Sequence, residues 1–197
     1  MAQRKVAKKE FQVLDEYLGH IKKSSQNLHE LVEDVNILHR IEQDDNNFVS
    51  VDLNLIANKV IDLLGPLCDE KNATIEIKNQ LPVIQGISTN YFIVFQNLIE
   101  NGLKYNESIN PTVSIYSVTN DRTIQLFFED NGMGIEKEYH EYIFHYFKRL
   151  HNNAVYEGTG FGLGICKKII TNFNGSIRVE SKLGEGSTFI IALQNNE

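Results

Sequence analysis

Apolar side chains recur at alternating spacings of three and four from Phe11 through Leu14, Leu18, Ile21, Leu28, Val32 and Val35, with Ser25 in the one seam position that is not apolar. A seven-residue repeat of this kind belongs to a helix that lies along another helix. No proline interrupts residues 5–41 and Gly19 is the one glycine among them, so the spacing predicts a single long helix. Leu31 and Leu38 widen the stripe. Such a helix cannot bury its apolar side alone. The expected partner is the same helix of a second copy, giving a homodimer; the alternative is packing along the chain's own C-terminal part.

The polar run Gln43–Asn47, rich in Asn and Asp, punctuates the pattern and divides the chain into an expected helical unit over 1–45 and a second unit over 46–197. In the second unit, residues 48–51 and 73–78 read as strands around an amphipathic helix over 53–71, in which Gly65-Pro66 is an awkward interruption. Ser88 is expected to cap a helix running to about Tyr105. Residues 113–117 and 123–129 alternate as a hairpin around Asn120-Asp121. A helix over 161–173, stopped by Asn174-Gly175, and two strands joined at residues 183–186 close the chain. The fold class is therefore α+β: a two-layer sandwich with helices on one face of a mixed sheet, preceded by the coiled-coil-like helix. Residues 130–160 follow no single period and read as a functional loop or lid.

A net charge of -7 and a pI near 5.4 exclude the basic footprint of a nucleic-acid binder, so any phosphate site must be local. No apolar run reaches the roughly 20 residues needed to span a bilayer, and no secretory leader is legible. Cys68 and Cys166 match no metal or redox spacing and read as buried, reduced thiols. The expected compartment is the cytoplasm, with membrane attachment of a longer protein left open.

Three constellations carry chemistry. In Gln96-Asn97-Leu98-Ile99-Glu100-Asn101-Gly102-Leu103-Lys104-Tyr105, residues Asn97, Asn101 and Lys104 fall on one helical face, while Glu100 reads as one step off it. Amide oxygens beside a lysine suit a metal-nucleotide, with Asn101 supplying the single protein oxygen that Mg2+ often takes. Asp130-Asn131-Gly132-Met133-Gly134 ends a strand. A carboxylate projecting there would accept a hydrogen bond from the exocyclic amine of adenine, a group that guanine lacks at that position. Gly158-Thr159-Gly160-Phe161-Gly162-Leu163-Gly164 runs into a helix whose free N–H groups and dipole attract phosphate, yet it matches neither the dinucleotide nor the Walker spacing.

In this order, and joined by Ile143-Phe144-His145-Tyr146-Phe147-Lys148-Arg149-Leu150 and by Gly184-Glu185-Gly186-Ser187-Thr188-Phe189, these segments resemble the ATP-binding domain of sensor histidine kinases, shared with gyrase and MutL. The long helix resembles the second helix of the kinase dimerisation hairpin. The resemblance implies Asn101 on Mg2+, Asn97 and Lys104 near the phosphates, Tyr105 against adenine, and Asp130 on its amine. It further implies Arg149 at the terminal phosphate, Lys148 as a second lid cation, and Phe147 in the same lid block. Gly132, Gly134 and Ile135 would form the adenine wall. Gly158, Thr159, Gly160, Phe161, Gly162, Leu163 and Gly164 would anchor the lid over the phosphates, with Ser187 or Thr188 near the base. Implied partners are ATP, a response regulator receiver domain and an upstream sensory domain, since residues 2–11 resemble the linker that follows PAS domains.

Two departures matter. The position matching Asn97 is, in gyrase-like relatives, a glutamate that activates water; an amide cannot take that proton, so transfer is expected rather than hydrolysis. No phospho-accepting histidine is legible either. His29-Glu30 lacks the arginine and proline that follow the family's histidine, and the hairpin's first helix is expected to be missing from this chain. The alternative to a kinase core is a catalytically silent nucleotide-binding module that regulates through dimerisation.

Overall fold

The computed structural model describes residues 2–43, 48–148 and 159–195. Helix α1 spans Ala2–Gln43, about 63 Å at 1.5 Å per residue. Leu18, Ile21, Leu28, Val32 and Val35 of its seam are exposed, whereas Leu31, Ile37, Leu38 and Ile41 press against the remainder of the chain. The helix therefore carries two apolar stripes. One is spent within the chain and the other faces outward.

After β1 (Val49–Asp52) come α2 (Leu53–Lys71), β2 (Thr74–Ile77), β3 (Val83–Gly86) and α3 (Ser88–Lys104). There follow β4 (Thr112–Thr119), β5 (Thr123–Asp130), two short 3-10 turns (Lys137–Tyr139 and Tyr142–Phe144), α4 (Gly162–Asn172), β6 (Ser176–Ser181) and β7 (Ser187–Gln194). Five strands form one sheet in the order β2-β4-β5-β7-β6, with β2 parallel to β4 and the other pairs antiparallel. Strands β1 and β3 make a separate antiparallel pair.

Alternation sets the core. Val113 and Ile115 of β4, Ile124, Leu126 and Phe128 of β5, and Phe189, Ile191 and Leu193 of β7 are buried on the face that receives α3 and α4. Phe95 of α3 meets Phe128 edge-on at 4.9 Å. The opposite face of the sheet carries the stacked Tyr116–Phe127 pair and the Lys78–Glu129 ion pair.

Helix α2 has the expected span and continues through Pro66 because the carbonyl that loses its partner, on Asp62, lies on the exposed side where water replaces the bond. Two expectations are corrected. Ser88 is the first helical residue of α3 and Ile87 occupies the cap, without a side-chain hydrogen bond. Cys166 is buried as expected, but Cys68 is only half-buried. Among the described residues no helix is long and apolar enough to cross a membrane.

Candidate functional site

Asp130 closes β5 in register with Val113 and Ser187, and it shares the inward parity of Phe128 and Leu126. Strand alternation thus carries a carboxylate onto the helix-covered face, where the strand end leaves it beside a cavity of about 440 Å³. Gly132 N–H at 2.8 Å and Ser187 N–H at 3.2 Å both donate to Oδ1 of Asp130. The second carboxylate oxygen is left for the cavity. Burial outweighs these two donors and pushes the carboxyl up to about 6, with neighbouring Glu129 adding to the rise.

The loop after Asp130 is fixed by backbone. Met133 N–H donates to the Tyr105 carbonyl, Gly184 N–H to the Met133 carbonyl, and Ile135 N–H to the Ser181 hydroxyl. A Cβ on Gly132 would lie 2.5 Å from the Tyr105 carbonyl oxygen, so a glycine is required there. Asn131 has structural work: its amide oxygen accepts from Asn106 and from Thr112 N–H, and its amide nitrogen donates to Ser108 and the Asn110 carbonyl.

Across the cavity, α3 presents Asn97, Asn101, Lys104 and, after its last turn, Tyr105. Asn97 donates its side-chain N–H to the Ile93 carbonyl at 2.9 Å, which turns its oxygen toward Gly162. A Cβ at Gly162 would meet that oxygen at 2.1 Å, so the glycine permits α3 and the start of α4 to approach. Lys104 sits over the Tyr105 ring at 5.5 Å, and Lys148 over Tyr142 at 4.9 Å. The first turn of α4 contains no acidic residue and its cap makes no side-chain hydrogen bond. Its amides can therefore receive an anion.

Of the residues singled out in the sequence, Asn97, Asn101, Lys104, Tyr105, Asp130, Gly134, Ile135, Lys148, Thr159, Gly160, Gly162, Leu163 and Ser187 line this one cavity. Gly132 backs Asp130 from behind. Four others lie outside the lining. Thr188 has the opposite parity to Ser187 and faces the far side of the sheet, Phe147 is 68% exposed, Phe161 is buried beneath the turn against Phe147, and Gly164 lies under the Tyr146 ring. Arg149 and Gly158 lie outside the described residues.

Glu100 is a correction, because it stands in the cavity wall. Residues 97, 100, 101 and 104 occupy one arc of a helix with 3.6 residues per turn, a signal the sequence already held. Glu30, Asp34 and Ile37 of α1 also line the cavity, and nothing in the local sequence announces it. Among the described residues no cluster of three His, Cys, Asp or Glu could hold a metal. Asn101 lines the cavity and would offer a phosphate-bound cation such as Mg2+ one neutral oxygen, with Asn97 and the Glu100 carboxylate on the same wall.

Residues 86–197, more than half of the chain, match the family described as histidine kinase-, DNA gyrase B-, and HSP90-like ATPase. The chain belongs to this ATPase family. It carries the ATP-binding catalytic core of the sensor histidine kinase type. Cyanobacterial phytochrome B of Nostoc sp. is 38% identical over 173 residues, which make up 87% of this chain and 23% of that protein. The chain thus spans about a quarter of that relative's length. The catalytic domain of histidine kinase ThkA superposes with a TM-score of 0.64 at 26% identity, covering 76% of this chain and 98% of that one. Full-length ShkA in complex with AMPPNP superposes with a TM-score of 0.74 at 23% identity, over 91% of this chain and 38% of that one, a likeness of fold.

Proposed function

We propose that this histidine kinase-type core binds Mg-ATP and transfers its terminal phosphoryl group to a histidine supplied from outside the chain, for relay to a response regulator receiver domain. One observation carries the reading: the amides and lysine of α3, the Asp130 carboxylate and the open start of α4 converge on one cavity whose volume suits a nucleotide. Bound Mg-ATP would supply the phosphoryl group and the neutralising divalent charge. The chain's own residues position it. Asp130 accepts from the adenine amine, Tyr105 lies against the ring, Lys104 and Lys148 offset phosphate charge, and the α4 amides donate to phosphate oxygens.

A separate hairpin bearing the family's histidine, incubated with this chain and labelled ATP, should become phosphorylated. Because Glu100 adds a carboxylate beside Asn97, hydrolysis by Glu100→Gln is measured alongside. Unchanged slow turnover agrees with a phosphotransfer enzyme. An unlabelled hairpin together with fast, Glu100-dependent hydrolysis would make the protein an ATPase instead.

The outward seam of α1 supports a homodimer, formed in a cytoplasmic setting behind an upstream sensory domain. Leu28 and Val32 are 64% and 52% exposed, and a helix does not leave such a stripe to water at no cost. Leu28→Glu with Val32→Glu is expected to convert a dimer to a monomer in sedimentation equilibrium. Equal masses for wild type and variant would remove the seam as the interface.

A further inference from the structure

The wall that α1 lends to the cavity has the wrong charge for a polyphosphate. Glu30 and Asp34, one helical turn apart, line the same space as Asn97, Asn101 and Thr159. Asp34 reaches furthest: its Oδ2 accepts the hydroxyl proton of Thr159 at 2.5 Å, a bond between residues 125 positions apart. Thr159 Oγ1 also accepts from Phe161 N–H at 3.3 Å, so this carboxylate is joined through one hydroxyl to the residue that opens α4. A second tie, from Asn172 to the Ile41 carbonyl, holds α1 near the other end of α4. The two ties seat α1 along α4, with its acidic pair at the end where that helix offers free amides.

The groups around Asp34 define what it competes with. Glu30 on its own helix repels it and Thr159 donates to it, while the amides of Asn97 and Asn101, the carboxylates of Glu100 and Asp130 and the cations of Lys104 and Lys148 share the cavity. Burial raises the Asp34 carboxyl above its ordinary range, Thr159 opposes that, and Glu30 adds to it. An anion at the start of α4 would seek the donor that Asp34 already holds, while facing two carboxylates across a confined space.

We propose that Asp34 stands in the place of a nucleotide phosphate, so that docking of α1 on α4 and binding of a polyphosphate nucleotide oppose each other. The inference rests on the nucleotide reading above and adds to it an interlock between helix and site. Coupling of this kind is reciprocal: whatever moves α1 off α4 raises nucleotide affinity, and bound nucleotide loosens α1 by the same factor.

Calorimetric titration of ATP and of adenosine into wild type, Asp34→Ala and Asp34→Asn at pH 7.5 tests it. Asp34→Ala is expected to bind ATP about 5- to 20-fold more tightly, within the usual range of such couplings, with adenosine affinity changed less than twofold. Asp34→Asn keeps an acceptor for Thr159 but sheds the charge, and should recover most of the gain. The advantage over wild type should shrink as pH falls and Asp34 takes up its proton. Equal or weaker ATP binding by both variants overturns the interlock. A wild type that binds neither ATP nor adenosine would instead refute the nucleotide reading.

Discussion

Asp130→Asn is expected to abolish ATP binding while leaving the fold as stable as wild type, or more so, above pH 6. The two backbone donors, Gly132 and Ser187, both point at Oδ1, and the amide oxygen of asparagine can accept both. The change falls on the other atom, where an NH2 replaces the oxygen left for the cavity. A donor would then face the adenine amine, itself a donor, and leaving both unpaired in a buried site should weaken binding by 100-fold or more.

The stability half follows from linkage. The carboxyl is pushed up from its ordinary 3.8 to about 6 by burial, so the folded chain holds this proton to higher pH than the unfolded chain does. The stabilisation is complete below about 4 and is lost as pH rises through about 6. Roughly two pH units correspond to about 3 kcal/mol in order of magnitude. Melting curves should therefore show wild type losing stability between pH 4 and 7 while Asp130→Asn stays flatter. If Asp130→Asn binds ATP as tightly as wild type, the adenine assignment fails. If it melts well below wild type at pH 8, the burial argument fails.

How much of this site could be read from residues alone depended on whether its parts were local. Asn97, Asn101 and Lys104 were legible because helical spacing is a property of one segment, and the same spacing would have admitted Glu100. The choice between Ser187 and Thr188 is also open to parity: Phe189, Ile191 and Leu193 of β7 are buried on the helix-covered face, and Ser187 shares their parity. Strand β3 was harder. Val83–Gly86 is four residues long, follows Pro82, and exists through pairing with β1 more than thirty residues earlier. The place of Asp34 has no local signal, since its partner Thr159 lies 125 residues away and the heptad seam of α1 runs along a different stripe. Heptad spacing says that a helix needs company, not which of its faces meets which neighbour.

Gly134→Ala should cost both the fold and the site. Gly134 has φ +71°, and a Cβ there would lie 2.0 Å from the Lys182 carbonyl oxygen and 2.7 Å from its carbon. These are backbone atoms and cannot rotate away. Relief requires the glycine loop to lift off the β6–β7 turn, breaking the Gly184 to Met133 bond at 2.7 Å and the Ile135 to Ser181 bond at 2.8 Å. Left-handed strain of about 1–3 kcal/mol and two hydrogen bonds at about 1 kcal/mol each suggest a loss of about 3–5 kcal/mol. In a chain of this size that is a fall of about 10 °C or more in Tm. Gly184→Ala is the internal control, because φ is +81° there but nothing lies within 4 Å of the added carbon. It should carry the backbone strain alone and a drop of only a few degrees. Because Met133 and Ile135 line the cavity on either side of Gly134, the lifted loop should also release the adenine wall, and nucleotide affinity should fall in Gly134→Ala well below that of Gly184→Ala. Equal melting temperatures for the two variants would show that the close approach to Lys182, and with it the tie between the turn and the adenine wall, does not govern the loop.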